Sequence, residues 1–405
     1  MKEVSKMKRN VRCALLILPV VLAMLLVVPS PQAHAFRAKS IIFMVPDGMG
    51  LADVTAARIF KNGPNGDLLS FEKLRQIGYQ RTHAKNSTVT DSAAAASAWA
   101  SGEKYNNGEI SCHDDDSNGS CDGEQVPTIL EIAKMRGKAT GLVATSDITH
   151  ATPAAFGAHV HNRKCEEEIA RQYINEVGVD VLLGGGIAAN RSSCQLTDSA
   201  GDWLTDLLDQ AQAKGYAVLE TESEMNGAVA GGASKILGLF KDGGKTPETY
   251  RVDSSLTYPD EEPTLAEMTA AALAVLEENR NGFFLMVEGS QIDWEDHANN
   301  VAGQIGETLA FDEAVQVVLD WIDSKPRRRL NTLLVVIPDH ETGGFAINGP
   351  YGTLSAAGEI VEDGWTTGEH TASDVLIWSQ GPGSWKLGKA LDNTDLYHVM
   401  KEVLR

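Results

Sequence analysis

Six short apolar runs recur along this chain, at residues 41–45, 140–145, 179–183, 283–287, 333–337 and 375–378. Runs this short and this free of polar residues suit strands buried on both faces, as in a parallel sheet covered by helices. Helical patterns lie between them, at 128–135, 165–176, 203–214, 264–277, 306–322 and 395–404. The alternation predicts an α/β fold: a mostly parallel central sheet with helices on both faces. It forms one large domain over residues 36–405. Stretches rich in Gly, Asp, Asn and Pro near 104–125, 220–262 and 346–367 read as irregular insertions above the sheet.

Chemically able side chains come directly after the runs. Asp47 comes after the first, Glu288 after the fourth, and Asp339 with His340 after the fifth. In open α/β sheets the carboxyl edge of the strands is where ligands bind, so one surface can collect all four. In Asp293-Trp-Glu-Asp-His297 the Asp and His stand four apart. On a helical turn they share a face and can reach one ion. Alone, the pair reads as an exposed ion pair. Asp339-His340 sits in Pro338-Asp-His-Glu-Thr-Gly-Gly344, where the glycine pair lets the backbone leave the strand. His370, in Thr367-Gly-Glu-His-Thr371, is uninformative by itself. Mixed imidazole and carboxylate donors suit zinc or a similar borderline ion. Asp47, Glu288 and Thr152 are all oxygen donors and suit a harder ion such as magnesium.

Val89-Thr-Asp-Ser92 leads into an alanine-rich helical stretch at 93–100. Ser92 then lies at a helix start, where free N–H groups and the helix dipole favour an anion. The plain alternative makes Asp91 or Ser92 an N-cap. A serine nucleophile needs an activator, and no Ser-His-Asp order is evident; a bound metal would serve instead. Arg163, in His159-Val-His-Asn-Arg163, offers a planar fork for two phosphate oxygens; the plain alternative is a surface arginine.

The first 35 residues read as an export signal: Lys2, Lys6, Lys8, Arg9 and Arg12, an apolar stretch at 14–28, then Ala33-His34-Ala35. The apolar stretch is short for a membrane anchor. The whole chain has a formal charge of −20, and removing that basic leader makes it more acidic still. Such a surface repels nucleic acid and anionic membranes. It also repels phosphate, so a phosphate site here needs local cations. Cys112, Cys121, Cys165 and Cys194 remain after the leader. An even count in an exported chain predicts two disulfides; of three pairings, nearest neighbours favour Cys112–Cys121 and Cys165–Cys194.

Taken together the motifs resemble the alkaline phosphatases of the bacterial and animal type. The resemblance rests on Pro46-Asp-Gly-Met-Gly50, Thr90-Asp-Ser-Ala-Ala94, Ala151-Thr-Pro-Ala154, His159 to Arg163, Val287-Glu-Gly-Ser-Gln-Ile-Asp293 with His297, Pro338-Asp-His-Glu-Thr-Gly343 and Gly368-Glu-His370, in that order. It implies an exported or periplasmic phosphomonoester hydrolase, a homodimer with no nucleic-acid or membrane partner. It further implies a Ser92 phosphoserine, with Arg163 clamping phosphate. Asp293, His297 and His370 would hold one zinc; Asp47, Asp339 and His340 would hold a second. Asp47, Thr152 and Glu288 would hold magnesium. Two positions depart from the enterobacterial pattern: His150 stands where that branch has Asp near magnesium, and Trp294 where it has Lys near phosphate.

Asp114, Asp116, Asn118 and Asp122 match a calcium-loop spacing, but Gln125 occupies the usual final Glu position. The competing reading is a solvated acidic loop closed by Cys112–Cys121. Two other functions remain open at this level: a related metal-dependent phosphodiesterase, and a secreted zinc-binding protein without activity. The latter does not require Ser92, Arg163 and Thr152 as well.

Overall fold

The computed structural model describes residues 37–186 and 203–404. The export segment and Cys194 lie outside the described residues. Among them are strands β1 (Ser40–Pro46), β2 (Gln76–Arg81), β3 (Ala139–Asp147), β4 (Val181–Gly186), β5 (Ala217–Leu219), β6 (Ile236–Asp242), β7 (Phe283–Gly289), β8 (Thr332–Val336), β9 (Glu341–Thr342), β10 (Ala346–Gly349), β11 (Glu362–Gly364), β12 (His370–Thr371), β13 (Val375–Gln380) and β14 (Ala390–Asp392). Ten of them form one sheet in the order β14-β2-β13-β8-β1-β7-β3-β4-β6-β5. β1 lies at its centre, parallel to β7 and β8, with Ile41 opposite Phe284 on one side and Leu333 on the other.

Successive side chains of β1 go to opposite faces, as the pleat requires. Ile41, Phe43 and Val45 join a core with Trp99, Ile129, Phe156 and Leu396. Ile42 and Met44 join the other core with Val54, Leu265 and Phe311. Those partners come from helices Ser92–Ser101, Ile129–Met135, Ala151–Gly157 and Asp395–Val403 on one face, and Leu51–Asn62, Leu265–Leu276 and Val301–Asp323 on the other. Helices thus cover both faces, as the apolar runs imply. No helix among the described residues is long and apolar enough to cross a membrane.

Two expectations need correction. The run at 375–378 is not parallel: β13 pairs antiparallel with both β8 and β2. The insertions are not wholly irregular either: in 346–367 β10 pairs antiparallel with β11, and the same is true of 220–262. That stretch holds helix Glu222–Ala230 and strand β6, which lies between β4 and β5 in the main sheet. Gly238 interrupts the apolar side chains of β6, which hides the strand from a search for continuous apolar runs. Cys112–Cys121 is a disulfide, and Cys165 is also disulfide-bonded.

Candidate active site at the carboxyl edge of the sheet

The central strands β1, β7 and β8 end beside one another, and each delivers an acid. Asp47 is the residue after β1, Glu288 is the penultimate residue of β7, and Asp339 lies three residues beyond β8. All three are fully buried. Gly48 makes the turn after β1, with φ of +76°. A Cβ at Gly48 would come within 2.7 Å of the Asp293 Cα, so glycine also lets the helix Gln291–His297 approach.

That helix carries Asp293 and His297, with His297 Nε2 3.4 Å from Asp293 Oδ1. His370 arrives on β12, which pairs with β9. Its Nε2 lies 3.5 Å from Asp293 Oδ1 and 3.1 Å from His297 Nε2. Backbone carbonyls fix both rings through their other nitrogens: His370 Nδ1 is 2.9 Å from Thr90 O and His297 Nδ1 2.7 Å from Gly368 O. His340 Nε2 lies 3.1 Å from Asp339 Oδ2 and 3.7 Å from Asp47 Oδ1, and its ring stacks on His370 at 3.6 Å. The positive-φ pair Gly343 and Gly344 lies beyond β9. It bends the chain after Thr342 and does not free Asp339 and His340 directly.

Ser92 opens its helix, and Asp91 is the N-cap, accepting from Ala94 N at 2.9 Å. The two readings of this stretch are therefore complementary: the aspartate caps and leaves the serine to face the edge. Ser92 is 2 % exposed, with Oγ 3.4 Å from His340 Nε2. Asp91 also accepts from Arg163 Nη1 at 3.0 Å, and Arg163 Nη2 lies 3.0 Å from His150 Nε2. Sequence reasoning gave Asp91 no such anchoring role; nothing in a linear reading places it opposite Arg163. His150 meets Trp294 edge-on at 6.2 Å. Trp294 in turn packs where any side chain at Gly244 would sit.

The donors fall into three buried or half-buried groups whose atoms lie within 4.8 Å of one another: Asp293, His340 and His370; Asp47, Asp339 and His340; Asp47, His150 and Glu288. The second group is the expected one; in the first His340 stands where His297 was expected, with His297 Nε2 next to it 3.1 Å from His370 Nε2, and the third brings His150 to Asp47 and Glu288. Thr152 is fully buried beside the third group's helix start. Neither its hydroxyl nor the oxygens of Asp47 and Glu288 make a well-formed hydrogen bond, although Thr152 and Ser290 lie close enough to Glu288 to favour its charged form in part. The ion pairs of Asp47, Asp293 and Asp339 among the described residues are all with histidines. Burial, then the neighbouring carboxylates Asp339, Asp293 and Glu288, drive Asp47 well above the usual carboxylate range. Burial pushes Glu288 up to about 7. Buried carboxylates without donors are costly, and bound cations remove that cost. The residues present therefore fit oxygen- and imidazole-liganded metal ions.

The acidic loop is different. Asp114, Asp116 and Asp122 do come within 4.8 Å of one another. Their oxygens, however, accept backbone N–H groups of Asn118, Gly119 and Asp115. The Asn118 side-chain oxygen accepts from Ser120 N, outside that group.

A family model described as alkaline phosphatase matches residues 38–361. Alkaline phosphatase of Escherichia coli strain K12 is 34 % identical over 430 residues, covering 91 % of this chain and 86 % of that protein. The alkaline phosphatase of Thermus thermophilus superposes with a TM-score of 0.75 at 28 % identity, over 91 % of each chain. That of the Antarctic bacterium TAB5 gives 0.72 at 29 %, over 91 % of this chain and 98 % of that one.

Proposed function

Since the chain belongs to the alkaline phosphatase family and is a phosphomonoester hydrolase, we propose that it works through a phosphoserine at Ser92. The observation that carries this is the buried Ser92 Oγ at a helix start, 3.4 Å from His340 within the cluster of donors.

Asp293, His297 and His370 would hold one zinc, and Asp47, Asp339 and His340 a second. Asp47, Thr152 and Glu288, with His150 nearby, would hold magnesium. When bound, these cations supply Lewis-acid polarisation and the positive charge that an acidic chain needs to accept phosphate. The protein's own part is positioning. Helix N–H groups at Ser92 face the arriving anion. Asp91 and His150 hold the Arg163 fork in place, leaving guanidinium donors for two phosphate oxygens. The Ser92 oxygen forms a bond to phosphorus as the ester bond breaks, and the alcohol departs with a proton. Water then breaks the Ser92 Oγ–phosphorus bond and releases inorganic phosphate. Residues 1–35 are read as the signal for export to the periplasm or beyond.

Ser92→Ala tests the reading. It is expected to lower kcat on p-nitrophenyl phosphate by several orders of magnitude, roughly as loss of a nucleophile does elsewhere, and to abolish phosphoenzyme trapped in acid. Near-normal turnover in that variant refutes the nucleophile. Turnover of phosphodiesters in preference to monoesters would favour the phosphodiesterase reading.

A further inference from the structure

Resting on the proposed pair of zinc sets, we infer that Thr342 is a positioning residue whose hydroxyl joins the two sets into one hydrogen-bonded unit. Thr342 is fully buried. Its Oγ1 lies 2.5 Å from Asp293 Oδ1, which belongs to the first set, and 3.3 Å from His340 Nδ1, which belongs to the second. Its backbone reaches the same two places. Thr342 N donates to Gly48 O at 2.9 Å, next to Asp47, and Thr342 is the register partner of His370 across β9 and β12.

The direction of each hydrogen bond is dictated by the atoms. A hydroxyl has one hydrogen and spare lone pairs, whereas an ionised carboxylate can only accept. The hydroxyl hydrogen therefore goes to Asp293, and His340 Nδ1–H supplies the hydrogen of the second contact. That assignment leaves the His340 Nε2 lone pair pointing toward Asp339, Asp47 and Ser92, which lie 3.1, 3.7 and 3.4 Å away. It also leaves the second oxygen of Asp293 outside the contact. One hydroxyl thus sets the orientation of a carboxylate and the usable nitrogen of an imidazole. Partners of this kind fix ligand geometry, and their loss typically weakens metal binding about 10–100-fold. The competing account makes Thr342 a buried strand residue whose methyl packs and whose hydroxyl is incidental.

The two accounts separate in a zinc titration of the metal-free full chain against a competing chelator, with folding checked by circular dichroism. Wild type is expected to take up two tight zinc equivalents. Thr342→Val, which keeps the shape and removes the hydroxyl, is expected to weaken both equivalents about 10–100-fold. Thr342→Ala gives the same deletion if valine does not fit the site. Thr342→Ser, which restores the hydroxyl without the methyl, is expected to keep wild-type affinity. Wild-type affinity in a folded Val or Ala variant overturns the inference, and so does a serine variant as weak as valine. Weakening of a single equivalent overturns the joining role. Absence of zinc uptake by the wild type is a separate outcome, which sinks the zinc reading itself.

Discussion

The carboxyl edge of the sheet and the loop around residues 112–125 both gather three side chains of ligand type within reach of one ion, acids with histidines at the edge and acids alone in the loop. They do so under opposite conditions. At the edge, Asp47, Glu288 and Asp339 are fully buried, and the oxygens of Asp47 and Glu288 make no well-formed hydrogen bond. In the loop, the carboxylates of Asp114, Asp116 and Asp122 accept N–H groups of the loop's own backbone, Asp115 pairs with Lys85, and the tip faces solvent. Proximity of acids is common to both regions. What distinguishes them is unmet demand: a buried charge without donors calls for a cation, whereas an exposed one is served by water, salt and local turns.

The largest effect is expected from removing cations at the edge. Exhaustive chelation is expected to abolish phosphatase activity, and zinc with magnesium to restore it. His370→Ala is expected to weaken one zinc and leave the fold intact, since a single ligand leaves a large α/β core. Activity that persists in protein shown by elemental analysis to be metal-free would erase the contrast between the two regions.

A smaller effect is expected at the rim of the edge. Trp294 supplies no charge there, so Trp294→Lys adds one close to His150 and Arg163. Hydrogen bonds to charged groups are worth about 1.5–3 kcal/mol, which translates to roughly tenfold or more tighter phosphate inhibition. If product release limits turnover, kcat falls together with KM. An unchanged inhibition constant would make Trp294 a packing residue against Gly244.

Between the extremes stands a half-buried acid that has a protein cation as partner. Glu131 lies 3.1 Å from His159 Nε2. Burial alone would raise Glu131 and lower His159, but the contact between them reverses both: Glu131 is held below its usual range and His159 above. The histidine's contribution is full below its ordinary value, about 6.5, and is lost as pH rises through its raised value. The carboxylate's contribution is present above its ordinary value, about 4.3, and is lost as pH falls through its lowered one. Glu131→Gln, which can still accept from Thr128 N, is therefore expected to cost about 1 kcal/mol near pH 6 and less above pH 8. Denaturant titrations at the two pH values check this. Equal losses at both would show that shape, not charge, is what the pair provides.

The smallest effect belongs to the loop. Asp116→Ala is expected to change stability by less than about 0.5 kcal/mol, as is usual for surface positions. Calcium is expected to leave Tm unchanged in both forms. A calcium-dependent rise in Tm that disappears in Asp116→Ala would move the loop to the same class as the edge.

Much of the edge is legible in the chain because strands declare themselves by apolar content, and covalent connection puts the next few residues at the strand's end. Asp47, Glu288, Asp339 and His340 could be assigned to one surface on that ground alone. Ser92 could be placed at a helix start from the alanines after it. The hydrogen-bond partners could not. Asp91 meets Arg163 across 72 residues, and Thr342 meets Asp293 across 49. An N-cap accounts locally for an aspartate at position 91, so its chemistry alone does not point to a distant partner.

The sequence by itself determined the class of fold and put Asp47, Glu288, Asp339 and His340 at strand ends and Ser92 at a helix start, since hydrophobic periodicity and residue chemistry are local properties carried by a few neighbouring side chains; the fuller ligand sets came from the family resemblance. The tertiary structure alone decided strand direction and partner. The apolar run of β13 reads the same in either direction, and it pairs antiparallel because of where the chain returns. β6 joins the sheet despite its interrupted pattern, since packing against β4 and β5 supplies what its own residues lack. Thr342 acquires its place between Asp293 and His340 in the same way. Hydrogen bonds are short-range and directional, so which groups they join is fixed only when segments far apart in the chain have been brought within 3 Å or so.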